Sequence, residues 1–133
     1  MTTKELTKTA LNAILDRKAS DIVLLRVTKQ TTLADYYVIC TGTSNTQLRA
    51  IADAVDESMS KQYGLEPKSI EGYRSASWIL LDYGSVIVHA FKNDTRQFYD
   101  LERLWSDSEK LDVQEFLASD DGESEETDAL SAN

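Results

Sequence analysis

The chain has 133 residues, the size of one ordinary domain, which excludes two full-sized cores. Hydrophobic residues make up 41% and charged residues 28%, which excludes a fibrous or wholly disordered chain and removes the need for a disulfide or metal staple. Lysine and arginine number 14 against 23 acids, a formal charge of −9, so an electrostatic grip on nucleic-acid phosphates is disfavoured.

The acidity is uneven. Asp120, Asp121, Glu123, Glu125, Glu126 and Asp128 fall in the stretch 119–133, which has no base, leaving 14 bases against 17 acids, a net −3, for the rest. A lone cysteine, Cys40, excludes an internal disulfide, and a lone histidine, His89, excludes the usual His/Cys zinc cluster. No stretch approaches the roughly 18 apolar residues of a membrane span, and the N-terminus has no long apolar signal core. These features point to a reducing, cytoplasmic setting without a membrane partner.

In chain order, Leu6, Ala10, Leu11, Ile14 and Leu15 recur at helical spacing behind Thr2 and Thr3, and predict an amphipathic helix ending near Ser20. Ile22–Val27 reads as a strand, Lys29–Thr32 as a polar turn and Tyr36–Thr41 as a second strand. After Gly42, Ser44 and Gln47 have the S-x-x-Q form of a capping box. The helix behind it carries Leu48, Ile51, Ala52, Val55 and Met59 on one face and meets Gly64 as its C-cap. Residues 68–72 form a weak strand candidate, whereas Trp78–Tyr83 and Val86–Phe91 predict a hairpin turning at Gly84-Ser85. Phe98, Leu101, Leu104 and Trp105 suggest a third helix, and Leu111, Val113, Phe116 and Leu117 a short fourth. From Ser119 periodicity stops and an acidic disordered tail is expected. The order predicts an α/β fold, a mixed sheet packed by helices.

Chemistry is sparse. Thr41, Gly42 and Ser44 form a strand-to-helix turn whose amides and dipole could hold an anion, although the turn also needs a flexible residue and a cap for structural reasons. Both glycine-rich phosphate fingerprints are missing. A nucleotidyl-transfer enzyme would need paired carboxylates for magnesium, and Asp82 stands alone on its strand. Cys40 lies in an apolar strand and reads as packing; His89 reads as a hydrogen-bonded structural or interface residue, having no nucleophile motif beside it. Strand alternation puts Trp78 and Asp82 on one face and Tyr83 on the other, so one aromatic is free to meet a partner.

The blocks Asp35–Ser44 with Gln47 and Ala50–Val55, then Trp78–Gly84, Val86–Phe91, Arg96, Tyr99 and Leu101–Trp105, resemble the ribosomal silencing factor family, also called RsfS or Iojap. The resemblance covers about residues 4–107. Ser85 departs from it, since the family usually has an acid there. It implies a fold similar to the nucleotidyltransferase α/β fold without its catalytic acids, with a domain over 1–107, a short amphipathic helix at 108–118 and the acidic tail at 119–133. It also implies a non-enzymatic factor, without cofactor or metal, that docks on the fourteenth protein of the large ribosomal subunit. Such docking blocks subunit association and represses translation under nutrient limitation, and family members tend to form homodimers when free. A body at −3 with an acidic tail suits a basic protein partner better than direct reading of RNA. Trp78, Asp82, Tyr83 and His89 are the expected partner-binding residues, with the Thr41–Ser44 turn secondary. The competing readings are a nucleotide-binding or nucleotidyl-transfer enzyme using Gly42 and Ser44, and a dimeric module for some other protein.

Overall fold

The computed structural model describes residues 1–27, 34–99, 103, 106 and 108–120. The first helix, α1 (Thr3–Asp16), starts at a reciprocal capping box: Thr2 Oγ1 accepts from the Glu5 amide and the Glu5 carboxylate accepts from the Thr2 amide, both at 3.0 Å. It ends earlier than the expected Ser20. The Arg17 amide turns back to the Ile14 and Leu15 carbonyls, Lys18 takes a left-handed φ of 61°, and Ser20 already opens β1 (Ser20–Arg26). The expected turn at Lys29–Thr32 lies outside the described residues. Then come β2 (Tyr36–Gly42), α2 (Asn45–Tyr63), the short β3 (Ser69–Glu71), β4 (Trp78–Asp82), β5 (Val86–Lys92) and α3 (Asn93–Tyr99). The chain continues through β6 (Glu109–Leu111) to α4 (Val113–Ala118).

The six strands form one mixed sheet in the order β3-β4-β5-β2-β1-β6. At its centre β2 and β5 run parallel, with Val38 opposite Val88, while every other neighbouring pair is antiparallel. Parallel neighbours need a long crossover, and α2 lies within that connection. Both central strands read as near-continuous apolar runs because they are covered on both faces. Gly84-Ser85 turn the hairpin, with the Tyr83 amide donating to the Val86 carbonyl at 2.9 Å.

Alternation divides the side chains. One face supplies Leu24, Val38, Cys40, Ile79, Leu81, Val86 and Val88 to the larger core, where α1 adds Leu6, Leu11 and Ile14, and α2 adds Leu48, Ile51, Val55 and Met59. Burial pushes the Cys40 thiol up to about 12, against the opposing pull of Arg96, so it packs as a small apolar group. The other face carries a smaller cluster of Leu25, Val27, Ala34, Ile39 and Phe91, flanked by the half-buried Tyr37, Trp78 and Ile87.

One expectation at the C-terminal end changes. Leu111, assigned to a helix by its spacing, instead pairs with Leu24 in β6, and Asp112 caps α4 by accepting from the Glu115 amide at 2.9 Å. The segment 108–118 joins the same sheet and core as the rest: Phe116 is buried, meets the Tyr36 ring edge-on at 5.5 Å and lies under the Lys4 ammonium at 5.6 Å. A three-residue strand followed at once by a cap leaves too little alternation to be read from sequence. Of the residues of the expected third helix, Phe98 lies in α3, which begins at Asn93; Leu101, Leu104, Trp105 and residues 121–133 lie outside the described residues.

Two glycines illustrate how differently the backbone constrains the fold. Gly64 caps α2 with φ 62° and open space around a hypothetical Cβ, whereas at Gly72, φ 78°, a Cβ would sit 2.0 Å from the Trp78 carbonyl oxygen. Gly64→Ala is expected to cost about 1 kcal/mol, the penalty for a left-handed alanine. Gly72→Ala is expected to cost at least about 2 kcal/mol more, because a backbone atom must move. Urea unfolding of both variants measures the difference, and equal costs would contradict the close approach at Gly72.

Candidate functional site

The expected partner-binding residues divide between the two faces of the sheet. Trp78 opens β4 on the face away from α1 and α2, and its indole Nε1 donates to His89 Nδ1 at 3.2 Å. His89 lies one strand over, opposite Leu80, and is 5% exposed. Around it the Tyr37 ring packs edge-on at 4.9 Å, the Phe91 ring lies parallel at 6.0 Å, and Trp78 tilts against Phe91 at 4.8 Å. Since Nδ1 accepts, the neutral ring carries its proton on Nε2. Burial holds its pKa down at about 4, so the ring is neutral near pH 7. The histidine thus fixes the indole orientation, while Trp78 itself is only partly buried.

Asp82 ends the same strand, half-buried, with Oδ1 accepting from the Gly84 amide at 2.7 Å and its carbonyl accepting from the Lys68 amide at 2.7 Å. These bonds hold the hairpin turn and leave the carboxylate at the margin of the aromatic face. Tyr83 points the other way. It is 6% exposed and belongs to the core beneath α2, so it does not share a contact surface with Trp78. The sequence anticipated this split between faces but not which aromatic is outward; the two helices decide it by covering the Tyr83 side.

The Thr41–Ser44 turn is internally satisfied. Thr41 Oγ1 accepts from the buried Arg96 guanidinium at 2.7 Å, and the same Nη1 donates to the Asp21 carbonyl at 2.8 Å, bracing the β1 irregularity where Asp21 adopts φ 48°. Ser44 Oγ accepts from the Gln47 amide at 3.0 Å, as a cap should, but the other half of the expected box is absent. Gln47 Oε1 instead accepts from the Thr43 amide at 2.7 Å and hydroxyl at 3.0 Å, while Nε2 donates to the Arg17 and Lys18 carbonyls at 3.2 Å. A side-chain oxygen therefore already occupies the Thr43 amide, one of the donors that an anion at the Thr41, Gly42 and Ser44 turn would use. Nothing in the S-x-x-Q pattern could reveal that Gln47 also ties off the end of α1. Among the described residues, no group of three His, Cys, Asp or Glu side chains is placed to hold a metal ion, and no helix is long and apolar enough to cross a membrane.

The family model described as ribosomal silencing factor during starvation matches residues 1–133, extending the similarity past the expected limit at 107. The chain is 39% identical over 114 residues to the ribosomal silencing factor RsfS of Halalkalibacterium halodurans, covering 86% of this chain and 97% of the relative. It is 38% identical to RsfS of Bacillus subtilis, covering 85% and 95% respectively. A crystal structure of a protein from Chromobacterium violaceum superposes with a TM-score of 0.76 at 33% identity, covering 92% of this chain and 98% of that one.

The buried imidazole makes stability depend on pH. Its folded pKa of about 4 lies below the ordinary 6.5, so the unfolded chain takes up the proton first. The stability it contributes is complete above pH 6.5 and is lost as pH falls toward 4. Over that window the loss is on the order of 3 kcal/mol. Denaturant unfolding of the wild type and His89→Phe is expected to show the steeper acid dependence in the wild type, and parallel profiles would remove His89 as the titrating group.

Proposed function

Because the chain belongs to the ribosomal silencing factor family, a family of ribosome-associated regulators of translation, we propose that it docks on the large ribosomal subunit and prevents the small subunit from joining. The partner in this reading is the fourteenth large-subunit protein, the setting is the cytoplasm under nutrient limitation, and the free protein is a homodimer. No catalytic step is involved; the α/β sheet serves as a nucleotidyltransferase-like scaffold without catalytic acids.

The observation that carries the site is the partly buried Trp78, held by His89 and Phe91 on the sheet face opposite α1 and α2. A preorganised indole loses little freedom on binding, and tryptophan is among the commonest anchors of protein interfaces. Asp82 lies at the margin of this face, where a carboxylate sets orientation toward a basic partner more than it adds affinity. His89 acts through Trp78, and Tyr83 supports the strand from beneath. The charge of −9 disfavours direct contact with RNA phosphates and favours a basic ribosomal protein.

Sedimentation of mixed subunits tests the activity: saturating protein is expected to deplete joined ribosomes, and an unchanged joined fraction would end this reading. Trp78→Ala is expected to weaken large-subunit binding by about 2 kcal/mol, roughly thirtyfold. Unchanged affinity in a folded Trp78→Ala variant would take the indole out of the interface.

A further inference from the structure

Besides its apolar face, α2 carries a polar stripe directed at the connection between β3 and β4. Asn45, Arg49 and Asp53 lie at successive turns of the helix, and each of them ties down a residue of the exposed segment 73–75. Asn45 Nδ2 donates to the Ser75 carbonyl at 3.2 Å, Arg49 Nε to the Tyr73 carbonyl at 3.1 Å and Arg49 Nη2 to the Arg74 carbonyl at 2.6 Å. The Asp53 carboxylate accepts from the Tyr73 hydroxyl at 3.0 and 3.1 Å. Three consecutive backbone carbonyls are thus claimed by two side chains of one helix.

Tyr73, Arg74 and Ser75 are exposed, so water would satisfy those carbonyls, and hydrogen bonds exchanged against water add little net stability. What the side chains add is position. The pinned segment is the outer arc of a closed loop: the Ala76 amide donates to the Gly72 carbonyl at 2.9 Å, and a side chain at Gly72 would collide with the Trp78 carbonyl, so the two ends of the loop lie against each other. Ala76, fully buried, is held at a left-handed φ of 53°, a strained conformation for alanine. Next to it the Ser77 carbonyl accepts from the Lys92 amide at 2.9 Å, and Trp78 follows as the first residue of β4.

A strained residue two positions before the indole relaxes once its loop is released, and the relaxation is carried into the start of β4. The Trp78–His89 bond is 3.2 Å, at the long end of the usual range, so a small shift there weakens it. Of the three ties, Arg49 fixes orientation as well as distance, because its planar fork spans adjacent carbonyls. We propose that Arg49 is a positioning residue for Trp78, acting through the 72–77 loop without touching the partner; this rests on the docking role given to Trp78 above.

Two measurements on the full-length protein test this: the indole Nε1 proton resonance of Trp78, identified by its loss in Trp78→Ala, and affinity for the large ribosomal subunit. Arg49→Ala is expected to shift that resonance, to speed its exchange with solvent about tenfold, and to weaken subunit binding about fivefold through lost preorganisation. Arg49→Lys keeps the charge but not the fork, and is expected to follow the alanine variant; wild-type behaviour would assign the effect to charge and overturn the proposal. In the Trp78→Ala background, Arg49→Ala is expected to cost no further affinity. Additive losses would mean that Arg49 meets the partner itself, and an unchanged indole resonance in Arg49→Ala would mean that the loop does not reach the indole; either result overturns the proposal. A wild type that fails to bind the subunit ends the docking reading instead, and the indole resonance alone then decides whether Arg49 holds Trp78.

Discussion

The parallel pairing of β2 with β5 is the constraint from which the rest of the architecture follows. Two parallel neighbours cannot be joined by a tight turn, so the chain must leave β2, run through α2 and return by way of β3 and β4 before β5 is laid down. The crossover helix then needs an apolar bed, which the inward residues of β2, β4 and β5 provide, and α1 packs beside it. Once both helices occupy one face, alternation leaves Tyr37, Trp78, Ile87 and Phe91 for the other.

On that second face the polar groups of Trp78 and His89 constrain one another. An indole N–H beside an aromatic cluster is costly unless it finds an acceptor, and a buried imidazole is costly if charged. Pairing Trp78 with His89 answers the first demand, since a neutral histidine is an acceptor at Nδ1, and burial keeps the imidazole neutral near pH 7. Arg96 solves a comparable problem at the strand ends, where a buried guanidinium is held by the Thr41 hydroxyl and by the carbonyl of the strained Asp21. The Trp78–His89 pair favours one orientation of the outward aromatic surface, and Arg96 favours one path for the first strand.

Legibility in the sequence followed the length and regularity of each signal. α2 was readable because Leu48, Ile51, Val55 and Met59 repeat over about three turns and Gly64 ends the helix, and the β4–β5 hairpin because two apolar runs flank Gly84-Ser85. β6 was not, since three residues carry no period and Leu111 fitted the helical spacing of Val113 and Phe116 equally well. At the site, strand parity correctly separated Trp78 from Tyr83, but parity has no information about which face the helices will cover. The role of Gln47 was half-legible: its spacing from Ser44 marks a helix start, yet its amide is spent on the carbonyls of Arg17 and Lys18, about thirty positions back in the chain. Contacts of that separation exist only after the strands have set the two helices side by side.

Both margins of the sheet are three residues long, Ser69–Glu71 on one side and Glu109–Leu111 on the other. Each is a short border with a charged residue in it, Glu71 or Lys110, instead of a long flat apolar template. Natural sheets use such abbreviated borders to discourage strand-by-strand stacking of one molecule onto the next. The consequence is colloidal: margins this short and charged offer a neighbouring sheet little backbone on which to grow.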